Sequence, residues 1–210
     1  MQASADSGAV RAVLFDLGGV VLDVDFGRAL AAWAPHSRIS MERLRERFGF
    51  DEAYQRHETG HLPADGYFAH LRQALALDCD ASVVRAGFNA IFPGEIEETV
   101  GMLRQLRERL PCYAISNTNA VHLEEIARAF PRLLPLFKRV FASHEIGQRK
   151  PHPGAFEHVL REIGVPAPQV LLFDDLAPNV AAARALGMQA VQVTGPADVR
   201  EALVQRRLLD

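Results

Sequence analysis

Three apolar runs in this chain end on polar side chains. Val13-Leu14-Phe15 runs into Asp16 and the loop Leu17-Gly18-Gly19; Tyr113-Ala114-Ile115 ends on Ser116-Asn117; Val170-Leu171-Leu172-Phe173 ends on Asp174-Asp175. Lys150 stands between the last two runs, in Arg149-Lys150-Pro151. A carboxylate such as Asp16 can attack an electrophile and split one hard step into two easier ones. Ser116 and Asn117 can donate hydrogen bonds to an oxyanion. Adjacent carboxylates repel and raise each other's pKa unless a cation lies between them. A hard divalent ion with oxygen ligands, Mg²⁺ above all, relieves that repulsion and suits phosphate chemistry. Each group also has a plainer reading. Asp16 can cap a turn, Asp174 can cap a helix, Ser-Asn is a turn signal, and a lone lysine is usually a solvated charge.

The elements that must position these groups follow from periodicity. Residues 10–16 read as a first strand, and an apolar strand ending in a carboxylate delivers it to the ligand-binding edge of an open α/β sheet. Residues 28–92 then carry helical patterns near Arg28–Trp33, Met41–Phe48, Ala64–Leu77 and Ala81–Ile91, with no convincing strand. Phe92-Pro93-Gly94 closes the block. Ile96, Val100, Leu103, Leu106 and Leu110 then recur at helical spacing. Strands are expected at Cys112–Ile115, Arg139–Ala142, Val170–Phe173 and Gln189–Val193. Helices are expected at Val121–Phe130, Ala155–Ile163, Pro178–Leu186 and Ala197–Arg206, with Gly164 and Gly187 as stops. Alternating strands and helices predict an α/β fold, a Rossmann-like parallel sheet with helices on both faces. The helical block interrupts it directly after the first strand. The expected organisation is an α/β core over 1–26 and 93–210 with a small helical cap inserted at 27–92.

The chain has 210 residues, nearly half of them hydrophobic, and a net charge of −3 with acids and bases dispersed. That favours neither nucleic acid nor an anionic membrane as partner, and no apolar stretch is long enough to span a bilayer. The N-terminal stretch Met1–Gly8 lacks the basic and apolar regions of a signal peptide. Two cysteines, Cys79 and Cys112, make a disulfide framework improbable. The expectation is a cytoplasmic protein, monomer or homodimer.

In this order, a nucleophilic Asp, a Ser/Asn pair, a Lys and paired carboxylates resemble the motifs of the haloacid dehalogenase-like (HAD) hydrolases, most of which are magnesium-dependent phosphatases. The resemblance implies that Asp16 attacks phosphorus and forms an aspartyl phosphate, and that Lys150 bridges nucleophile and phosphate. Ser116, Asn117 and the loop glycine Gly19 would bind the phosphate. Asp16, the Gly18 carbonyl and Asp175 would hold Mg²⁺, with Asp174 assisting and Asn179 in support. Phe15–Phe26, Arg28, Trp33, His57-Glu58-Thr59-Gly60, Ser116-Asn117-Thr118-Asn119 and Phe173-Asp174-Asp175 look like a subgroup that includes a bacterial α-D-glucose-1-phosphate phosphatase.

One residue departs from the superfamily pattern. Most HAD phosphatases carry a second Asp where this chain has Gly18; it protonates the leaving group and then activates water. Acid–base catalysis of that kind is worth roughly 10²–10⁴-fold. An anomeric oxygen leaves more readily than an ordinary alkoxide, so the loss is best tolerated with a sugar 1-phosphate such as glucose 1-phosphate. Two rival readings use the same gap. A 2-haloacid dehalogenase also lacks the second Asp, but typically replaces the acidic pair that Asp174-Asp175 retains. A catalytically weak binding protein would not need Asp16, Lys150 and the acidic pair together.

Specificity is expected from the cap, at Tyr54–His61. Gly60 permits a turn that dips toward the site. His57 titrates near neutrality and is able to bind a hydroxyl or carry protons, and Glu58 stands beside it; the alternative is an ordinary polar helix end. Trp33 and Phe26 read as cap core.

Overall fold

The computed structural model describes residues 8–209, so most of the polar N-terminal stretch lies outside the described residues. Five parallel strands form the sheet, in the order β3-β2-β1-β4-β5. They are β1 (Ala12–Phe15), β2 (Cys112–Ser116), β3 (Val140–Ala142), β4 (Val170–Asp174) and β5 (Gln189–Gln192). β1 is central and is buried along its whole length. Its side chains divide by the period of two expected of a strand covered on both faces. Val13 and Phe15 pack with helices α6 (Glu97–Leu106) and α11 (Pro196–Gln205). Ala12 and Leu14 pack with α9 (Pro153–Ile163) and α10 (Ala177–Ala185) on the other face.

The register sets the site. Phe15 pairs with Ala114 of β2 and with Phe173 of β4. The residues that follow, Asp16, Ile115-Ser116 and Asp174, therefore emerge side by side at the carboxyl edge. β1 connects onward on one side and β4 lies on the other, so this edge is the switch point where open α/β sheets bind ligands.

Helices α1 (Phe26–Trp33), α2 (Met41–Arg47), α3 (Glu52–Glu58), α4 (Ala64–Ala74) and α5 (Ala81–Asn89) pack around an apolar cluster of their own. Trp33 is fully buried there and donates from Nε1 to Val84 O at 3.1 Å. Its indole lies so close over Gly87 that a side chain at that position has no room, which lets α1 and α5 approach. The chain enters and leaves this unit along two adjacent segments, joined by Asp23 N to Gly94 O at 2.9 Å and Asp25 N to Ile91 O at 2.8 Å.

Helix α3 is absent from the periodicity reading. Asp51 caps it by accepting from Tyr54 N at 2.8 Å, but two of the three residues on its buried stripe, Tyr54, His57 and Glu58, are polar, so a search for apolar periodicity passes over it. The helix after Ile96 is regular to Leu106 and then loosens into a turn, in which Arg109 N and Leu110 N both donate to Leu106 O, before Pro111 leads into β2. A further short helix, α8 (Ser143–Ile146), follows β3. Helix α7 (Ala120–Ala129) follows β2, capped by Asn119.

Candidate active site

Asp16 leaves β1 with its Oδ1 accepting from Leu17 N at 2.7 Å. Its Oδ2 lies 2.8 Å from Lys150 Nζ, and the same ammonium lies 2.6 Å from Asp174 Oδ2. Lys150 is almost completely buried. Burial works against its charge, but the Asp16 and Asp174 carboxylates outweigh that and hold its pKa above the usual lysine value. Burial pushes the Asp16 carboxyl up to about 7; Lys150 pulls it down and Asp174 and Asp175 push it up again. A single ammonium thus serves a group of acids too crowded for it to neutralise.

The two carboxylates of the acidic pair have different work. Asp174 is fully buried, and its Oδ1 accepts from Asn179 Nδ2 at 2.8 Å and Leu176 N at 3.0 Å. Its oxygens are committed to Lys150, Asn179 and the start of α10. Asp175 is half-buried, faces the cavity above the sheet edge, and is raised by burial and by Asp174. Asn179 reaches the cavity and orients Asp174.

Gly18 and Gly19 form the turn beneath this group. Gly19 has φ +72°, and a Cβ there would lie 2.7 Å from Asp175 Oδ2. Its N–H donates to Leu22 O at 2.8 Å. The phosphate-donor role expected for Gly19 is therefore not the one its N–H occupies: the turn consumes the donor, and the missing side chain makes room for Asp175. Gly18 lines the cavity beside Val24.

Ser116 and Asn117 reach the same cavity from β2. The Asn117 side chain is also a clamp. Its Nδ2 donates to Lys150 O and its Oδ1 accepts from Lys150 N, each at 2.8 Å. The side-chain amide thus fixes the backbone that presents the lysine, and the phosphate contact expected of Asn117 is one for its backbone N–H.

The cap closes over this edge and leaves a cavity of about 380 Å³, within the usual range for small-molecule sites. Asp16, Ser116, Asn117, Asp175 and Asn179 form its polar floor, and Phe26, Phe50, Tyr54 and Ile91 rise from the cap. Glu58 lines it too. Arg149, the residue before Lys150, brings Nη2 to 2.9 Å from Glu58 Oε2. Burial raises the Glu58 carboxyl, with Arg149 pulling it down. His57 does not line the cavity. It is buried in the cap, stacked on Tyr67 at 4.7 Å, with Nδ1 2.9 Å from Leu62 O. Burial lowers its pKa. The hydroxyl-binding or proton-carrying role read for it is replaced by a place in the cap core, because helix α3 turns Glu58 rather than His57 toward the sheet edge.

Sequence reasoning missed Ser143, which fastens the cap to the core. Ser143 Oγ lies 2.6 Å from Glu58 O and 2.9 Å from Thr118 O, and it accepts from Thr118 N at 2.9 Å. Gly60, with φ +74°, lies against His144 O, where a Cβ would come within 2.5 Å. Phe50, Arg149 and Leu176 were missed as lining residues. Asp51 as a helix cap was the available signal for α3, and with it for Tyr54 and Glu58.

Asp16, Asp174 and Asp175 each offer an oxygen within 4.8 Å of the others. A hard-oxygen set of like charges fits Mg²⁺. Asp175 has the oxygens least committed elsewhere.

A family model described as haloacid dehalogenase-like hydrolase matches residues 10–187. A D-ribitol-5-phosphate phosphatase of Bacteroides thetaiotaomicron is 22% identical, over 92% of this chain and 97% of its own. A sesquiterpene phosphatase of Aspergillus oryzae is 28% identical, over 88% of this chain and 90% of its own. A solved HAD family enzyme from Bacteroides thetaiotaomicron, in complex with magnesium and inorganic phosphate, superposes with a TM-score of 0.80. It is 23% identical and covers 88% of this chain and 94% of its own, a likeness of fold. No helix among the described residues is long and apolar enough to cross a membrane.

Proposed function

The chain belongs to the haloacid dehalogenase-like hydrolases, and from that premise we propose that it is a Mg²⁺-dependent phosphatase of small phosphorylated metabolites, acting through an aspartyl phosphate on Asp16. The observation that carries this reading is Asp16 with Lys150 at 2.8 Å, inside an acid group that suits a divalent cation. The phosphatases among its relatives support it.

In the first step an Asp16 oxygen attacks phosphorus and the bond from phosphorus to the ester oxygen breaks. The ester oxygen leaves as alkoxide or phenoxide and takes its proton from water. In the second step water attacks the aspartyl phosphate, its proton passes to bulk water, and the phosphorus–Asp16 bond breaks to release inorganic phosphate. Lys150 stays charged and offsets the repulsion between the attacking carboxylate and the phosphoryl oxygens. Ser116 donates to those oxygens, while Asn117 and Asp174 hold Lys150 in place. Mg²⁺, held by Asp16, Asp175 and the Gly18 carbonyl with Asp174 behind them, would supply positive charge to the same oxygens.

Gly18 supplies no proton, so substrates with weakly basic leaving groups are favoured. A sugar 1-phosphate such as glucose 1-phosphate meets that condition. The free cysteines Cys79 and Cys112 suit a cytoplasmic setting.

The test is release of inorganic phosphate from acetyl phosphate and p-nitrophenyl phosphate, with Mg²⁺ and with chelator. Mg²⁺-dependent release, lost in Asp16→Asn, is expected. Equal activity in chelator together with chloroacetate turnover would replace this reading by a dehalogenase, and no turnover at all would leave a binding protein.

A further inference from the structure

The floor and the walls of the cavity differ in chemistry. The floor carries the charges that suit a phosphate and its metal. The walls are formed by Val24, Phe26, Phe50, Tyr54, Ile91 and Leu176. Phe50 meets Phe26 edge-on at 5.2 Å and Tyr54 at 4.9 Å between ring centres, so the aromatic groups form one continuous surface. Phe50 is 55% exposed and Leu176 52%. Both line the cavity, so large apolar side chains stand open to water there. Above the floor, Glu58 and Arg149 are the charged groups in the lining, and they lie 2.9 Å apart as an ion pair.

On this basis, and resting on the phosphatase reading, we infer that the walls take the organic part of the substrate and that this part is an apolar or aromatic body, not a polyol. A hexose or pentitol brings hydroxyls all round its carbon skeleton. Each would lose water on entry, and this wall offers one corner to replace it, the Glu58–Arg149 pair with the Tyr54 hydroxyl beside Glu58. Burying hydroxyls without partners costs affinity, whereas covering Phe26, Phe50 and Leu176 with hydrocarbon gains it. The same body explains how Gly18 is tolerated: an aryl phosphate combines an apolar ring with a weakly basic phenoxide. Glucose 1-phosphate satisfies the leaving-group condition alone.

The test compares hexyl phosphate with D-ribitol 5-phosphate, both primary alkyl esters of similar length. They are read as competitive inhibitors of acetyl phosphate hydrolysis, so the ratio reports binding and not leaving-group ability. Each buried methylene is worth about fourfold, so hexyl phosphate should inhibit at a concentration at least about tenfold lower. Phe50→Ser and Leu176→Ser should each shrink that ratio. Equal inhibition, or ribitol phosphate binding more tightly, overturns the inference and leaves the phosphatase reading standing. Absence of acetyl phosphate hydrolysis overturns the phosphatase reading itself, and the inference with it. If Phe50 and Leu176 are instead covered by a second copy of the chain, sedimentation will show a dimer that Phe50→Ser dissociates with the inhibitor ratio unmoved; that result also overturns it.

Discussion

Lys150 Nζ lies 2.8 Å from Asp16 Oδ2 in a position almost closed to water. The lysine is therefore part of the fold as well as of the proposed chemistry. Lys150→Met keeps the length of the side chain and removes the charge. It leaves Asp16 and Asp174 facing one another unpaired, and breaking a buried pair in this way costs about 3–5 kcal/mol. The variant should lose turnover and melt at a lower temperature, and added Mg²⁺ should recover part of the stability but not the turnover. A variant as stable as the wild type in metal-free buffer would show that the ammonium is not what holds the acids together.

The raised Asp16 pKa makes a signed prediction about stability. An acid whose folded pKa is about 7 against an ordinary value of 3.8 holds its proton more tightly in the native state. Its contribution is fully present below pH 3.8 and is lost as pH rises through about 7. Burial shifts Asp175 and Glu58 in the same direction. His122, lowered to about 3 by burial, and His57, also lowered, act oppositely over an overlapping range. The Asp16 part is isolated by subtraction. Measured without metal, Asp16→Asn should gain stability over the wild type as pH rises from 4 toward 8, about the window those values set. Mg²⁺ should remove much of the gain. A difference independent of pH would mean that Asp16 is not strained by its neighbours.

Asp174 and Asp175 are adjacent but should fail differently. Asp174 accepts from Lys150, Asn179 and Leu176, so Asp174→Ala should lower the melting temperature and disorder the site. Asp175 is half-buried and carries no comparable set, so Asp175→Ala should fold normally and need far more Mg²⁺ for half-maximal activity. Gly19→Ala should resemble Asp175→Ala, because a Cβ at 2.7 Å displaces the same carboxylate. Isothermal titration with Mg²⁺ and a thermal melt separate the outcomes. Equal loss of metal affinity in Asp174→Ala, without loss of stability, would reverse the assignment.

What the sequence shows of this protein follows from how local each feature is. Asp16, Ser116 and Asp174 are legible because each closes an apolar strand, and parallel register then brings strand ends together without further information. Trp33 reads correctly as cap core. The Asn117–Lys150 clamp joins residues 33 positions apart, and nothing in either segment announces the other. The Glu58–Arg149 pair spans cap and core in the same way. His57 and Glu58 look equivalent in sequence, but one residue of helical rotation sends Glu58 to the cavity and His57 beneath Tyr67. Phe26 reads as core and is partly so; the cavity that exposes its remaining face exists only once Phe50 and Tyr54 are folded beside it.

Gly18 offers the sharpest mechanistic test, because the missing group can be put back. A Cβ at Gly18 would lie 3.1 Å from Val24 Cγ2, tight but against a side chain rather than backbone. Val24→Ala removes that branch, so Gly18→Asp/Val24→Ala can carry a carboxyl at the place where most relatives of this superfamily hold their acid. Val24→Ala alone is the control for the altered wall. The restored acid should matter least for acetyl phosphate, whose leaving group needs no proton, and most for hexyl phosphate, whose alkoxide needs one. General acid–base help is worth roughly 10²–10⁴-fold. The double variant should therefore raise the hexyl phosphate rate by at least about tenfold over the control, the low end allowing for imperfect geometry. The slope of log rate against leaving-group pKa should flatten at the same time. If the wild type already has a flat slope, a donor is present elsewhere. Glu58 would then be the first residue to change, since it is the cavity-lining cap carboxyl that burial biases toward its protonated form.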